Sequence, residues 1–230
     1  YEKNPTICAL IQNYIFDDIR NRYDIAFNTI YNEYVLAKTS DGNMVRYSQF
    51  LSKTLQNFIE RSDVKDRDNF LLRFFTEVPL LTEESIELLN NFILSEQLYS
   101  SCVVVGINIL KAIIEKKRKQ KEKALDVLLD LCLVVDKAEV RSFAIKTTKS
   151  LYEIWGGDTK DKIANFATKV LNYLLESKPP ENIVKENNQS WTEDNIKVCL
   201  FLYLSLLPIN HKLIHNLAEV YVGTSPDTKR

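Results

Sequence analysis

Apolar side chains recur every three or four positions along most of this chain. One stripe begins at Ile7, Leu10, Ile11, Tyr14 and Ile15 and continues through Ile19, Tyr23, Phe27, Ile30, Tyr31, Tyr34 and Val35. A second takes Tyr47, Phe50, Leu51, Leu55, Phe58 and Ile59, and a third Phe70, Leu71, Phe74 and Phe75. This step is that of one helix face and not the alternation of a half-buried strand. The third stripe should stop before Pro79, because the residue ahead of a proline is pushed out of helical backbone. Further helices are predicted over 83–94, 97–115, 124–135, 140–155, 163–174, 193–207 and 211–221. Val103-Val104-Val105 is the one β-branched run that could read as a strand, and it lies inside a helical stripe.

Turn chemistry punctuates the stripes. Asp41-Gly42-Asn43, Ser62-Asp63 and Lys65-Asp66 read as breaks, and Gly156-Gly157-Asp158 as a helix stop followed by a new cap. Lys178-Pro179-Pro180 ends another helix. Residues 181–190 form a polar, Asn-rich segment without a stripe, so a mobile loop is expected at about 178–191. Ser190 and Glu193 have the spacing of a capping box for the next helix. Pro208 and Asn210 turn the chain into the last one. The sum is about ten helices joined by short connections, which favours antiparallel neighbours.

The stretch from Ala124 to Trp155 is the most informative. Leu125, Leu128, Leu129, Cys132 and Val135 face a second stripe of Val140, Ala144, Thr147 or Thr148, Leu151 and Trp155 across a short polar turn. Asp136, Val140, Arg141 and Ala144 between them resemble the turn and second helix of a HEAT repeat. An acidic side chain there could accept from free amides at the start of the second helix, and Arg141 could reach back to the turn carboxylates. A helix pair of this kind cannot bury both faces alone, so stacked neighbours are implied. The expected architecture is all-α, a HEAT-like α-solenoid of about ten antiparallel helices forming a single domain over 1–230, itself a fragment of a larger protein.

Composition narrows the picture. Five glycines in 230 residues are too few for the turns of an all-β fold, and 45% apolar residues argue against disorder. The net charge of −1 gives no global basic field for indiscriminate nucleic-acid binding. No apolar run is long enough for a membrane span. Cys8, Cys102, Cys132 and Cys199 stand apart with no C-x-x-C pair, which suggests buried thiols in a reducing compartment.

Candidate chemistry is sparse. His211 and His215 have the i, i+4 spacing of zinc-binding helices, but Lys212 stands where a protease would carry Glu, and there is no third histidine. The plainer expectation is a polar contact at the helix start for His211 and partial burial of His215. No nucleophile elbow, P-loop or dinucleotide fingerprint is present. Paired carboxylates such as Asp17-Asp18 and Glu83-Glu84 read as helix-start charge. No catalytic residue, cofactor or metal is therefore expected, and no small-molecule substrate. The strongest charge feature is residues 115–123, with Lys116, Lys117, Arg118, Lys119, Lys121 and Lys123. It reads first as a solvated connection whose cations suit the end of the preceding helix. It could also be a nuclear-import signal at 116–119, or a contact to RNA phosphates or an acidic partner. No aromatic interrupts it, so base stacking is not supported. The early aromatics Tyr14, Phe16, Tyr23, Phe27, Tyr31 and Tyr34 fit a core or helix seam, or less readily a peptide groove.

The segment from Leu202 to Tyr221, LYLSLLPINHKLIHNLAEVY, closely resembles the symplekin family of scaffolds in mRNA 3′-end processing. The likeness continues in order along the chain. It takes in Asp17-Asp18-Ile19-Arg20 with Arg22, Asp24-Ile25-Ala26-Phe27, residues 77–83, Leu128-Leu129-Asp130-Leu131, Glu139-Val140-Arg141-Ser142 and residues 162–180. The runs 115–123 and 181–190 depart from the family pattern. The resemblance is to the middle of the family's chain. It implies a nuclear, non-enzymatic scaffold segment for pre-mRNA cleavage and polyadenylation, and for histone pre-mRNA processing. The implied partners are protein subunits of the cleavage and polyadenylation specificity factor and of the cleavage stimulation factor. The alternative from the residues themselves is an RNA-binding helical module using 116–123.

Overall fold

A computed structural model describes residues 5–39, 44–61, 64–95, 100–184 and 190–225. The described residues form eleven α-helices and two short 3-10 turns, with no strand among them. Val103-Val104-Val105 is helical. The helices are α1 (Pro5–Asp17), α2 (Ile19–Thr39), α3 (Val45–Arg61), α4 (Val64–Glu77), α5 (Glu83–Leu94), α6 (Ser100–Lys116), α7 (Lys121–Leu131), α8 (Ala138–Ile154), α9 (Asp158–Asn172), α10 (Glu193–Leu206) and α11 (Leu213–Gly223). The expected breaks at 41–43 and 62–63, and residues 185–189 of the expected loop, lie outside the described residues; of the rest of that loop, Glu181–Ile183 forms a 3-10 turn with Ile183 buried. The chain gathers into two compact units, 1–124 and 125–230, and the boundary falls inside α7.

In the first unit each helix packs on a neighbour in sequence and on the next but one. α1 lies on α2 and α3, α2 on α3 and α4, α3 on α4 and α5, and α6 on both α4 and α5. The stripe expected to run unbroken from Ile7 to Val35 is instead two helices. The chain bends at Asp18, whose carboxylate accepts from the Asn21 amide at 3.4 Å and from its side chain at 2.9 Å, closing the open start of α2. The buried face of α2 is Tyr23, Ala26, Ile30, Glu33 and Ala37. Tyr14, Tyr31 and Val35, expected in the seam, are exposed. Glu33 is tolerated inside because Arg46 of α3 grips it with two bonds of 2.9 Å. Lys65-Asp66, expected as a turn, lies within α4.

The core of this unit is aromatic. Tyr23 stacks on Phe70 at 4.9 Å, and Phe58 contacts Phe16 and Phe74 edge-on or tilted at 5.0 and 5.2 Å. Arg67 is almost fully buried, with Asp68 at 3.0 Å, the Cys102 thiol at 3.2 Å and the Phe92 ring beneath its guanidinium at 5.2 Å. α5 and α6 approach closely at Gly106, where a Cβ would stand 2.3 Å from Ile93 Cγ1.

In the second unit α8 lies on α9 and α10, and α9 on α10 and α11. Leu128, Leu129, Cys132, Val140, Ala144 and Leu151 are buried, as their spacing predicts. At the turn between α7 and α8, Lys137 holds the cap position without a side-chain cap bond, and Arg141 reaches back to the turn by donating to the carbonyls of Val134 at 2.7 Å and Val135 at 3.1 Å. Gly157, at φ +58°, takes the backbone conformation that side chains disfavour and precedes α9. Thr192, not Ser190, caps α10, accepting from the Asn195 amide at 3.3 Å. The α10–α11 corner is pinned by the Tyr203 hydroxyl, which donates to the Leu213 carbonyl at 2.8 Å. Asn210 Nδ2 adds a bond to the Tyr152 hydroxyl at 3.0 Å.

Leu128 is completely buried and Lys119 is exposed. Leu128→Asp places an unpaired charge in the core, and urea titration should show a loss of more than about 4 kcal/mol. Lys119→Glu should leave the midpoint within about 0.5 kcal/mol of wild type. Equal losses from both would contradict the face assignment.

Candidate interaction surface

The basic run closes α6 and opens α7. Lys116 ends α6, residues 117–120 form a turn, and Lys121 starts α7. The turn is fixed by the Lys117 amide bonding the Ile113 carbonyl at 2.8 Å and the Gln120 amide bonding the Lys117 carbonyl at 3.2 Å.

The six cations fall into two groups. Lys117 is half-buried, and its ammonium donates to the Val78 carbonyl just past the end of α4. Burial holds its pKa below the ordinary lysine value. Gln120 Nε2 donates to the Leu81 carbonyl at 3.4 Å, and Lys123 pairs with Glu83 of α5 at 2.7 Å. These side chains fasten the run to the α4–α5 connection. Lys117 meets the carbonyl end of α4, where a cation is favoured, and Glu83 sits at the amide end of α5, where an anion is favoured. The expectation that these cations serve α6, the helix before them, therefore holds for Lys116 in its last turn, while Lys117 serves α4. Lys121 is partly buried and is also engaged by a neighbour. Lys116, Arg118 and Lys119 are exposed. A basic tetrad at 116–119 that is read in extended form would need this turn to open and Lys117 to leave Val78.

The two histidines do not share a helix face. His211 precedes α11, His215 lies within it, and both are exposed, so the expected partial burial of His215 is not found. α11 starts at Lys212 without a side-chain cap, and Asn210 Oδ1 accepts from the Lys212 amide at 3.3 Å, the polar contact expected of His211. Among the described residues no three His, Cys, Asp or Glu side chains converge as a metal site would require. Cys132 is fully buried beside Thr148, at 3.5 Å, and burial pushes its thiol up to about 12; burial does the same for Cys199.

A second surface escaped the sequence reading. Ser48, Gln49, Ser52 and Gln56 of α3 face Glu84, Glu87, Leu88 and Asn91 of α5 across a groove of about 340 Å³. The α3 positions and the α5 positions each follow a helical step, so they line one face of each helix. Ser48 donates to Glu84 at 2.7 Å, and bonds from Ser48 and Thr82 hold the Glu84 carboxyl below the usual range. The only advance signal was a run of uncharged polar residues on α3, which reads as a wet face.

No protein-family model matches the chain, and no solved structure matches it. No described helix is long and apolar enough to cross a membrane.

Two tests separate the cations by role. Lys117→Ala should lower stability by about 1–2 kcal/mol, through the lost bond to Val78 and the lost packing of its stem. Lys119→Ala should be neutral in the same thermal melt. If RNA is retained on filters through this run, the four exposed cations Lys116, Arg118, Lys119 and Lys123 give a log–log salt slope no steeper than about −3, against about −4 for all six. A slope near −4 would mean that the turn opens to release Lys117 and Lys121.

Proposed function

We propose that this chain is a middle segment of a symplekin-family scaffold acting in pre-mRNA 3′-end cleavage and polyadenylation and in histone pre-mRNA processing. In this reading it is a HEAT-like α-solenoid that works in the nucleus, without catalysis, by holding processing-factor subunits together. Its partners are subunits of the cleavage and polyadenylation specificity factor and the cleavage stimulation factor. The observation that carries the reading is the long, specific likeness of residues 202–221, supported by shorter likenesses in the same order along the chain.

The helix arrangement supports the solenoid part. Within each unit, packing of a helix on the next and the next but one is the neighbour pattern of stacked helical pairs. The likeness block also has structural work to do. Leu202, Tyr203 and Leu206 fill the core, while Tyr203 and Asn210 fix the α10–α11 corner. The RNA-binding alternative is weaker than the sequence suggested, since Lys117 and Lys123 are already spent on the α4–α5 connection.

Affinity capture from nuclear extract on the 230-residue chain, read by mass spectrometry, tests the reading. Subunits of the two processing factors should be enriched over a Leu128→Asp control. A capture containing neither factor would overturn the assignment.

A further inference from the structure

We propose that the groove between α3 and α5 is a docking site for a short, extended, lysine- or arginine-bearing segment of a protein partner. Its lining is unusual for the outer seam between two packed helices. Only Leu88 is apolar; the rest are two serines, two glutamines, an asparagine and two glutamates. No basic side chain lines it, so the two carboxylates set its charge.

The dimensions fit a peptide. Ser48 to Gln56 spans eight helical steps, about 12 Å. That length takes three or four residues of extended chain at about 3.3 Å each. Glu84 and Glu87 lie one turn apart on α5, so they can meet two cationic side chains. Gln49, Gln56 and Asn91 each carry both a donor and an acceptor, the complement that a peptide main chain needs along its length. Ser52 also lines the groove, and its hydroxyl has no hydrogen-bond partner.

The alternatives fit less well. An RNA backbone would meet two carboxylates and no cation. A hydrophobic helix would cover five uncharged polar side chains and two charges without pairing them. The inference does not rest on membership of the symplekin family, and its test does not involve processing factors.

Fluorescence anisotropy on the 230-residue chain tests it, with a fluorescein-labelled peptide of three Lys-Ser repeats as the probe and three Glu-Ser repeats as the control. The basic peptide should bind and the acidic one should not. Glu84→Gln with Glu87→Gln should weaken binding about tenfold, the order supplied by two partly exposed ion pairs, with the helical circular dichroism spectrum retained. Gln56→Ala should weaken binding at constant charge, which a diffuse electrostatic attraction would not show. Equal binding by wild type and the double variant, binding of the acidic peptide, or displacement of the peptide by an oligouridylate would each overturn the proposal.

Discussion

An apolar helical stripe has two flanks, and a single partner helix covers one of them. That geometric constraint organises both units. α3 rests on α1, α2, α4 and α5, and α9 on α8, α10 and α11. Close approach on several sides favours small side chains. Ala26, Ala144 and Ala167 are buried, and Gly106 brings α6 so near Ile93 that no methyl group fits between them. The burial of large apolar side chains, worth about 2 kcal/mol each, then accumulates within each unit.

The helical period was legible because the inward stripe has to repeat. α5 occupies 83–94 as its pattern predicts, and α4 ends ahead of Pro79. The bend at Asp18 was not legible for the same reason: Ile15 and Ile19 keep the step across it, and only the capping carboxylate marks the break. The buried face of α2 was hidden too. Its inward positions include Ala26, Glu33 and Ala37, so the competing stripe through Tyr31 and Val35 looks greasier while lying in water. Glu33 is inside because of Arg46, thirteen residues further on, and no local pattern announces such a pair.

Polar anchors show a similar limit. Tyr47 of α3 donates its hydroxyl to the Leu80 carbonyl and accepts from the Leu80 amide at 3.3 Å, while Lys117 reaches the Val78 carbonyl from the opposite direction in sequence. The α4–α5 connection is thus held at several backbone groups by side chains more than thirty residues away. A basic run in a sequence advertises charge and says nothing of which carbonyl will consume it. Most of the candidate site was therefore readable as an exposed cationic edge, through Lys116, Arg118, Lys119 and Lys123. Lys117 became structural once the chain folded. The α3–α5 groove was invisible for the complementary reason: its two walls are separated by some thirty-six residues, and each alone is an ordinary wet helix face.

Packing on the next helix but one also leaves grooves on the surface. Two such pairs leave a groove whose lining lies mostly outside the buried stripe, although Ser48 ties α3 to Glu84 of α5 and Arg141 pins the α7–α8 turn. The two linings differ. Between α3 and α5 the lining is acidic and amide-rich. Between α8 and α10 a groove of about 400 Å³ is lined by Ala138, Arg141, Ser142, Ile145 and Phe201, with the Arg141 guanidinium 5.9 Å from the Phe201 ring. Arg141 is committed to the Val134 and Val135 carbonyls, so its charge is fixed in place and presents its flat face beside an aromatic. Two seams built by one packing rule thus carry opposite charge. The outward positions of alternate helices thus set the charge of each groove, while the inward stripe sets the fold.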